Sequence, residues 1–359
     1  MFGRVTRPPS KILRRAVPRA LFGLVLVALV WASAGCASVV NASPGLRWWL
    51  FSNFGAQHVC PEMMKSSVSL RTQDRAPGIG RFFPTQCSYS VNDDQKTLMV
   101  NVAGTGYAYL PTAKRVGFTM TVSVEYRPDF MIAGDDLYVW GRMNRIVNGP
   151  NFQLGFVENK VLDVATAITP LGSSANFIGN QVVAGFMTRG FTVVDNADKG
   201  REFALGQLNP PQHPFHPIEV TDKDVYTFAN ETVDVYSNQR DFLGPFEITD
   251  SDKNLEMKVS LQGNAAELIV VSKQIGDQWL DSYVKGMPLG PPPGPILAGS
   301  PIQPGTATRK FRLQPGLYYV VVDNTSAAGI VNPPMGTILN PLFDPAARLS
   351  YVAQLTEAQ

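Results

Sequence analysis

The chain has 359 residues, with 31 Lys and Arg against 29 Asp and Glu, 28 Pro, 31 Gly and three Cys. Six of the positive charges (Arg4, Arg7, Lys11, Arg14, Arg15 and Arg19) lie in the first 20 residues. Without residues 1–35 the balance is 25 basic to 29 acidic, a net charge of −4. That balance excludes a nucleic-acid-binding surface built on bulk charge.

Residues 1–20 are basic and free of acid, and residues 21–32, LFGLVLVALVWA, carry no charge. A basic head, a short apolar run and an exit of small residues predict a secretory signal peptide over 1–35. Twelve helical residues reach about 18 Å, short of a hydrocarbon core of about 30 Å. Counting on to Val40 lengthens the run to about twenty residues, which leaves an uncleaved anchor as the alternative. The residues Ser33-Ala34-Gly35-Cys36 resemble the lipobox of bacterial lipoproteins, with Ser33 where Leu is usual. The resemblance implies cleavage before Cys36, a diacylglycerol on its thiol and further acylation (palmitate or a similar chain) of the new amino terminus. Two or three chains anchor a protein stably, at about 0.8 kcal/mol per buried methylene. Ala37 and Ser38, with no acid after the cysteine, favour the outer membrane under the enterobacterial sorting rule.

With Cys36 lipidated, Cys60 and Cys87 remain as an even pair in an exported chain, which predicts a disulfide. Residues 36–58 start as a tether and turn aromatic at Trp48, Trp49, Phe51 and Phe54. They are either a packing segment or a patch at a membrane surface, where Trp is favoured.

Residues 59–208 read first as long antiparallel strands. A turn at Asn92-Asp93-Asp94 joins two of them, and Val116, Phe118, Met120, Val122, Val124 and Tyr126 alternate on one face of a third. The period then changes. Phe177, Ile178, Val182 and Phe186 predict an amphipathic helix of about sixteen residues, capped by Ser173 or Ser174 and ended by Gly190. A strand pair opening on RGFTVV follows. The Pro-rich stretch 209–220 reads as a linker. Residues 221–359 give short strands at regular intervals, no long helix and a Pro-rich loop over 286–306, the pattern of a β-sandwich. The expected fold is mainly β with one long helix: an α+β curved antiparallel sheet wrapping a helix, followed by a β-sandwich.

The element order of 85–206 together with the lipobox resembles small bacterial lipoproteins of the TULIP type. That resemblance implies an apolar groove between sheet and helix, able to hold lipid. TRKFRLQPGLYYVVVDNT is similar to a strand pair of pre-peptidase C-terminal and related jelly-roll modules, which implies an accessory domain.

Catalytic and metal motifs are sparse. His213 and His216 stand three apart between prolines with no acid or cysteine beside them in sequence. DSDKNLEMKVSL opens like a calcium loop but has Leu255 where glycine is needed and Leu261 where a bidentate acid is needed. Gly-x-Gly-x-x-Gly, Gly-x-Ser-x-Gly and His-Glu-x-x-His do not occur. The expectation is a non-catalytic cell-envelope lipoprotein without a cofactor. Its membrane contact is the N-terminal lipid, and its ligand is a lipid or other apolar molecule. The groove would be lined by Phe118, Met120, Val122, Val124, Phe177, Ile178, Val182 and Phe186, unless those residues form a filled core. One alternative is a structural or adhesive protein that binds glycan or protein through an aromatic row, Trp279, Tyr283, Tyr318 and Tyr319. The other is an enzyme with convergent polar groups from distant positions.

Overall fold

The computed structural model describes residues 33–65, 67–71, 75–110, 113–159, 190–196, 200–220, 225–332 and 346–358. The predicted helix with Phe177, Ile178, Val182 and Phe186 lies outside the described residues, as does the leader through Ala32. None of the helices described is long and apolar enough to cross a membrane.

The chain is mainly β. Seven strands follow one another in an antiparallel meander: β1 (Val68–Arg71), β2 (Gly78–Asn92), β3 (Thr97–Leu110), β4 (Lys114–Ala133), β5 (Asp136–Val157), β6 (Phe191–Asn196) and β7 (Gly200–Leu205). The turn at Asn92 forms as the sequence predicts, with Asn92 Oδ1 accepting from the Gln95 amide at 3.0 Å. The alternation along β4 also holds, since Val116, Phe118, Met120, Val122, Val124 and Tyr126 are all buried while Thr119 and Thr121 are exposed. At about 3.4 Å per residue, the 20 and 22 residues of β4 and β5 form a ribbon far longer than a typical strand pair. Their pairing is interrupted by four register shifts, and such irregularities bend a sheet and increase its twist.

The second part is a β-sandwich. One layer holds β8 (Tyr226–Tyr236), β15 (Ala346–Glu357), β10 (Lys253–Gly263) and β13 (Gly305–Arg312). The other holds β9 (Gln239–Ile248), β14 (Gly316–Asn324), β11 (Ala266–Ser272) and β12 (Ala298–Ile302). Leu255, Met257, Val259 and Leu261 of one layer meet Leu243, Leu268, Val270, Val320 and Val322 of the other in a fully buried core. β12, from the Pro-rich loop, takes the sheet edge, where Pro301 withholds no ladder bond that an interior strand would need.

β8 joins the two parts. It pairs along its length with β15 and touches both ends of the meander, at Gly78 opposite Val233 and at Gly200 opposite Thr227. The meander therefore curls until both flanks reach the same strand.

Two helical elements depart from the sequence reading. Residues expected to be a tether fold as α1 (Ser33–Ala42), α2 (Pro44–Leu50), a wider π-type turn (Phe51–Gly55) and α3 (Ala56–Met63). They lie on the concave side of the meander, where Phe51 and Ala56 are buried with Phe82, Leu98 and Val100. Asn41 exchanges two hydrogen bonds with the Ile132 backbone (2.8 and 3.0 Å), and Arg47 pairs with Asp129 at 2.7 Å. Cys60 of α3 is disulfide-bonded to Cys87 of β2, the predicted pair.

The second departure is α4 (Lys273–Val284), a helix in the half of the chain where none was expected, capped by Ser272. It wedges between the sandwich and the meander. A Cβ at Gly276 would meet the Tyr319 ring at 2.2 Å, and a Cβ at Gly117 of β4 would meet the Val284 carbonyl at 1.8 Å, so both approaches require glycine. Arg115 is held between the rings of Phe156 and Tyr283, at 5.0 and 4.3 Å from their centroids.

A buried ionic cluster completes the junction. Arg81 of β2 donates to both carboxylate oxygens of Asp241 on β9, at 3.1 and 3.0 Å, and pairs with Glu231 of β8 at 3.3 Å. The Tyr107 hydroxyl donates to Asp241 at 2.5 Å and accepts from the Phe242 amide at 2.8 Å. Burial opposes the charge on Arg81, but Asp241 and Glu231 outweigh it.

Removing one member of such a pair leaves a buried charge without its partner. Arg81→Met is expected to lower unfolding stability by about 3–5 kcal/mol in urea titration. The double variant Arg81→Met/Asp241→Leu should lose less than the sum of the two single variants. Burial also holds the phenols of Tyr107, Tyr126, Tyr319 and Tyr351 well above their ordinary value, and pushes Tyr283 to about 12. The folded chain keeps these protons after the unfolded chain has lost them. Their contribution to stability is therefore complete below about pH 10 and falls above it. Alkaline unfolding followed by far-UV dichroism should coincide with tyrosinate absorbance rather than trail it.

Candidate functional site

The concave side of the meander encloses a cavity of about 1370 Å³, larger than the 300–1,000 Å³ usual for small-molecule sites. Its size follows from strand length and side-chain choice. The inward positions of β3, β4, β5 and β6 present mainly valine, methionine and leucine: Val100, Val102, Met120, Val124, Leu137, Val139 and Val193. Aromatic residues complete the lining: Phe82, Phe130 and Phe191 from the sheet, and Trp49, Phe51 and Phe54 from the N-terminal helices. Phe228 of β8 and Phe246 of β9 bring part of the sandwich junction into the wall.

Among the predicted groove residues, Met120 and Val124 line this cavity. Phe118 and Val122 are buried in the apolar cluster that supports the wall. Phe118 stacks on Phe152 at 4.8 Å. The sequence reading missed the contribution of residues 48–63. Their aromatic spacing was visible, but nothing local indicated which surface they would cover.

The charged residues on the wall face one another. Arg201 of β7 bridges Asp195 at 2.7 Å and Glu62 at 2.6 Å, and Lys65 approaches Glu247 at 3.8 Å. Arg71 and Arg81 share Glu231. From segment 207–220, Leu208 and residues 213–216 line another side. There His213 sets one ring nitrogen 2.8 Å from Glu202 and the other 3.4 Å from Asp136, while His216 lies 3.5 Å from Glu202. The two histidines thus gain acidic neighbours that their sequence surroundings did not show. Among the described residues, no group of three or more His, Cys, Asp or Glu side chains is arranged to hold a metal ion. These wall charges are held in small shared salt-bridge clusters, and Arg75 lies over the Phe215 ring at 5.1 Å. What the site offers a ligand is apolar surface.

The aromatic residues expected as an exposed row on the sandwich are buried. Trp279 and Tyr283 belong to α4, not to a strand, and pack with Tyr319 against Phe242 and Tyr107. Tyr318 faces the sandwich core and donates to the Gln314 carbonyl at 2.6 Å. Trp279 also takes the Arg240 guanidinium over its ring at 4.5 Å.

No protein-family description matches the sequence, and no curated protein matches it. Among solved structures, the chain aligns with the "DEL162-163 mutant of Bacillus subtilis Oxalate Decarboxylase OxdC" at 11% identity, over 85% of this chain and 84% of that one. The TM-score of 0.17 is too low for that likeness to carry an argument about fold or activity.

Proposed function

We propose that this chain is a non-catalytic lipoprotein of the bacterial cell envelope, held to the outer membrane through Cys36, that binds a lipid or other apolar ligand in the cavity of its curved sheet. The observation that supports the reading is the cavity itself: about 1370 Å³, walled by valine, leucine, methionine and phenylalanine. Closing such a space against water would otherwise forfeit dispersion contacts along its whole lining. An acyl chain restores those contacts and contributes about 0.8 kcal/mol for each methylene it buries. The basic leader and the Ser-Ala-Gly-Cys sequence support export and anchoring. The adhesive alternative relied on four aromatic residues that are buried.

Purified mature protein, extracted under native conditions and weighed before and after organic extraction, should carry an apolar species in about one-to-one ratio. Protein that carries none, and takes none up from added fatty acid, would end the ligand reading. Val100→Trp and Val124→Trp add bulk at the cavity wall and should lower the bound amount at least fivefold. Their cost in stability should stay within the range of about 1–3 kcal/mol usual for overpacking. For the anchor, metabolic labelling with palmitate should mark the parent chain and leave Cys36→Ala unlabelled and released from the membrane fraction.

A further inference from the structure

From Ser33 to Pro61 the chain contains no Asp, Glu or Lys, and its single Arg, Arg47, is turned onto Asp129. Yet this segment is not fully packed away. Trp49 is 53% exposed and Phe54 40% exposed, and the two rings meet edge to face at 5.6 Å. Val39 of α1 is 62% exposed. Large apolar side chains grouped on the surface without charges among them mark an interaction site. Trp49 and Phe54 also belong to the cavity lining. Through these two rings the exposed surface runs into the cavity lining.

We infer that this face seats in the headgroup and acyl boundary of a phospholipid bilayer, so that the cavity opens towards the membrane and the ligand it exchanges is a membrane lipid. The inference rests on the reading of the cavity as a binding site. Three features commit the face to a bilayer. Tryptophan is favoured at the membrane–water boundary, and a charge is costly below it. The segment supplies the first and brings no acid or lysine of its own; the charges beside it are Asp129, paired with Arg47, and Asp93, which accepts from the Trp48 indole at 3.1 Å. Val39 stands three residues after Cys36 in the same helix, about 4.5 Å of rise, so an acyl group on that cysteine brings α1 to the membrane surface. Finally, the segment cannot turn freely about that anchor. The Asn41 bonds to Ile132, the Arg47 pair with Asp129 and the Cys60–Cys87 bridge tie it to β4 and β2. Anchoring therefore orients this face.

The test uses the mature chain with Cys36→Ala, so that binding comes from the folded surface and not from an acyl group. It should float with phosphatidylcholine vesicles, with little change on adding anionic lipid or salt, because the segment itself has one basic residue, Arg47, and that is paired. Tryptophan fluorescence should be quenched by phosphatidylcholine with brominated acyl chains. Trp49→Ser/Phe54→Ser should weaken vesicle binding at least tenfold. Val39→Asp, which lies outside the cavity lining and is mostly exposed, should weaken it severalfold with an unchanged melting temperature. Equal flotation of all variants would overturn the inference. So would concentration-dependent dimerisation without vesicles that the double variant abolishes, which would assign the face to a second copy of the chain. Uptake of a fluorescent fatty acid by the parent chain, in solution without vesicles, separates the two claims. Uptake without flotation overturns the membrane face and leaves the cavity reading intact. Flotation without uptake overturns lipid exchange and the cavity reading together.

Discussion

The Arg81–Asp241 pair, with Tyr107 and Glu231 around it, holds the two parts of the molecule to each other. It sits where β2 passes the first strands of the sandwich, and it is almost wholly out of water. A guanidinium and a carboxylate in that setting require each other, because either one alone would be a buried charge without compensation. The bidentate geometry also fixes direction, since two parallel hydrogen bonds allow one relative orientation. β2 is therefore placed against β8 and β9 by a directional contact, in addition to apolar packing.

The cavity follows from that placement. A meander whose strands run to 20 and 22 residues twists and curls. Once both flanks are fixed at β8, its concave side becomes a trough of set width. Sheets usually fill such a face by packing on another layer about 10 Å away. Here the opposite layer among the described residues is the helical segment 33–63, which covers part of the trough. The contrast with the sandwich is informative. There two layers of valine, leucine and isoleucine interdigitate, and the residues are fully buried with no comparable space.

α4 shows how tightly the junction is made. It lies against the outer face of the β9-β14-β11-β12 layer and carries Trp279, Leu280, Tyr283 and Val284 into a core shared with Phe83 and Tyr107 of the meander. Rings, cations and glycine contacts alternate along it, and Tyr283 donates to Gln239 at 2.6 Å while accepting from the Arg240 amide. A junction of this kind transmits position well. The cavity wall at Phe228 and Phe246 is accordingly continuous with the sandwich, so the second part of the chain serves as a rigid frame for the first.

Much of this was legible along the chain. The two-residue period of Val116–Tyr126, the turn at Asn92 and the pairing of the two cysteines left after Cys36 are local or arithmetic signals, and each appears as read; TRKFRLQPGLYYVVVDNT forms two strands, β13 and β14, but they lie in opposite layers of the sandwich and do not pair with each other. α4 was not read from the sequence, although Ile275, Trp279, Leu280, Tyr283 and Val284 recur at helical spacing. Strand period and the cysteine pair were set by the sequence itself, because side-chain alternation depends only on neighbouring residues. The curl, the burial of Trp279 and Tyr319, the acids beside His213 and the helices over the trough were decided only by the tertiary structure. They depend on which distant surfaces meet, and residues 48–63 carry the same aromatic pattern whether they cover a sheet, face a membrane or do both.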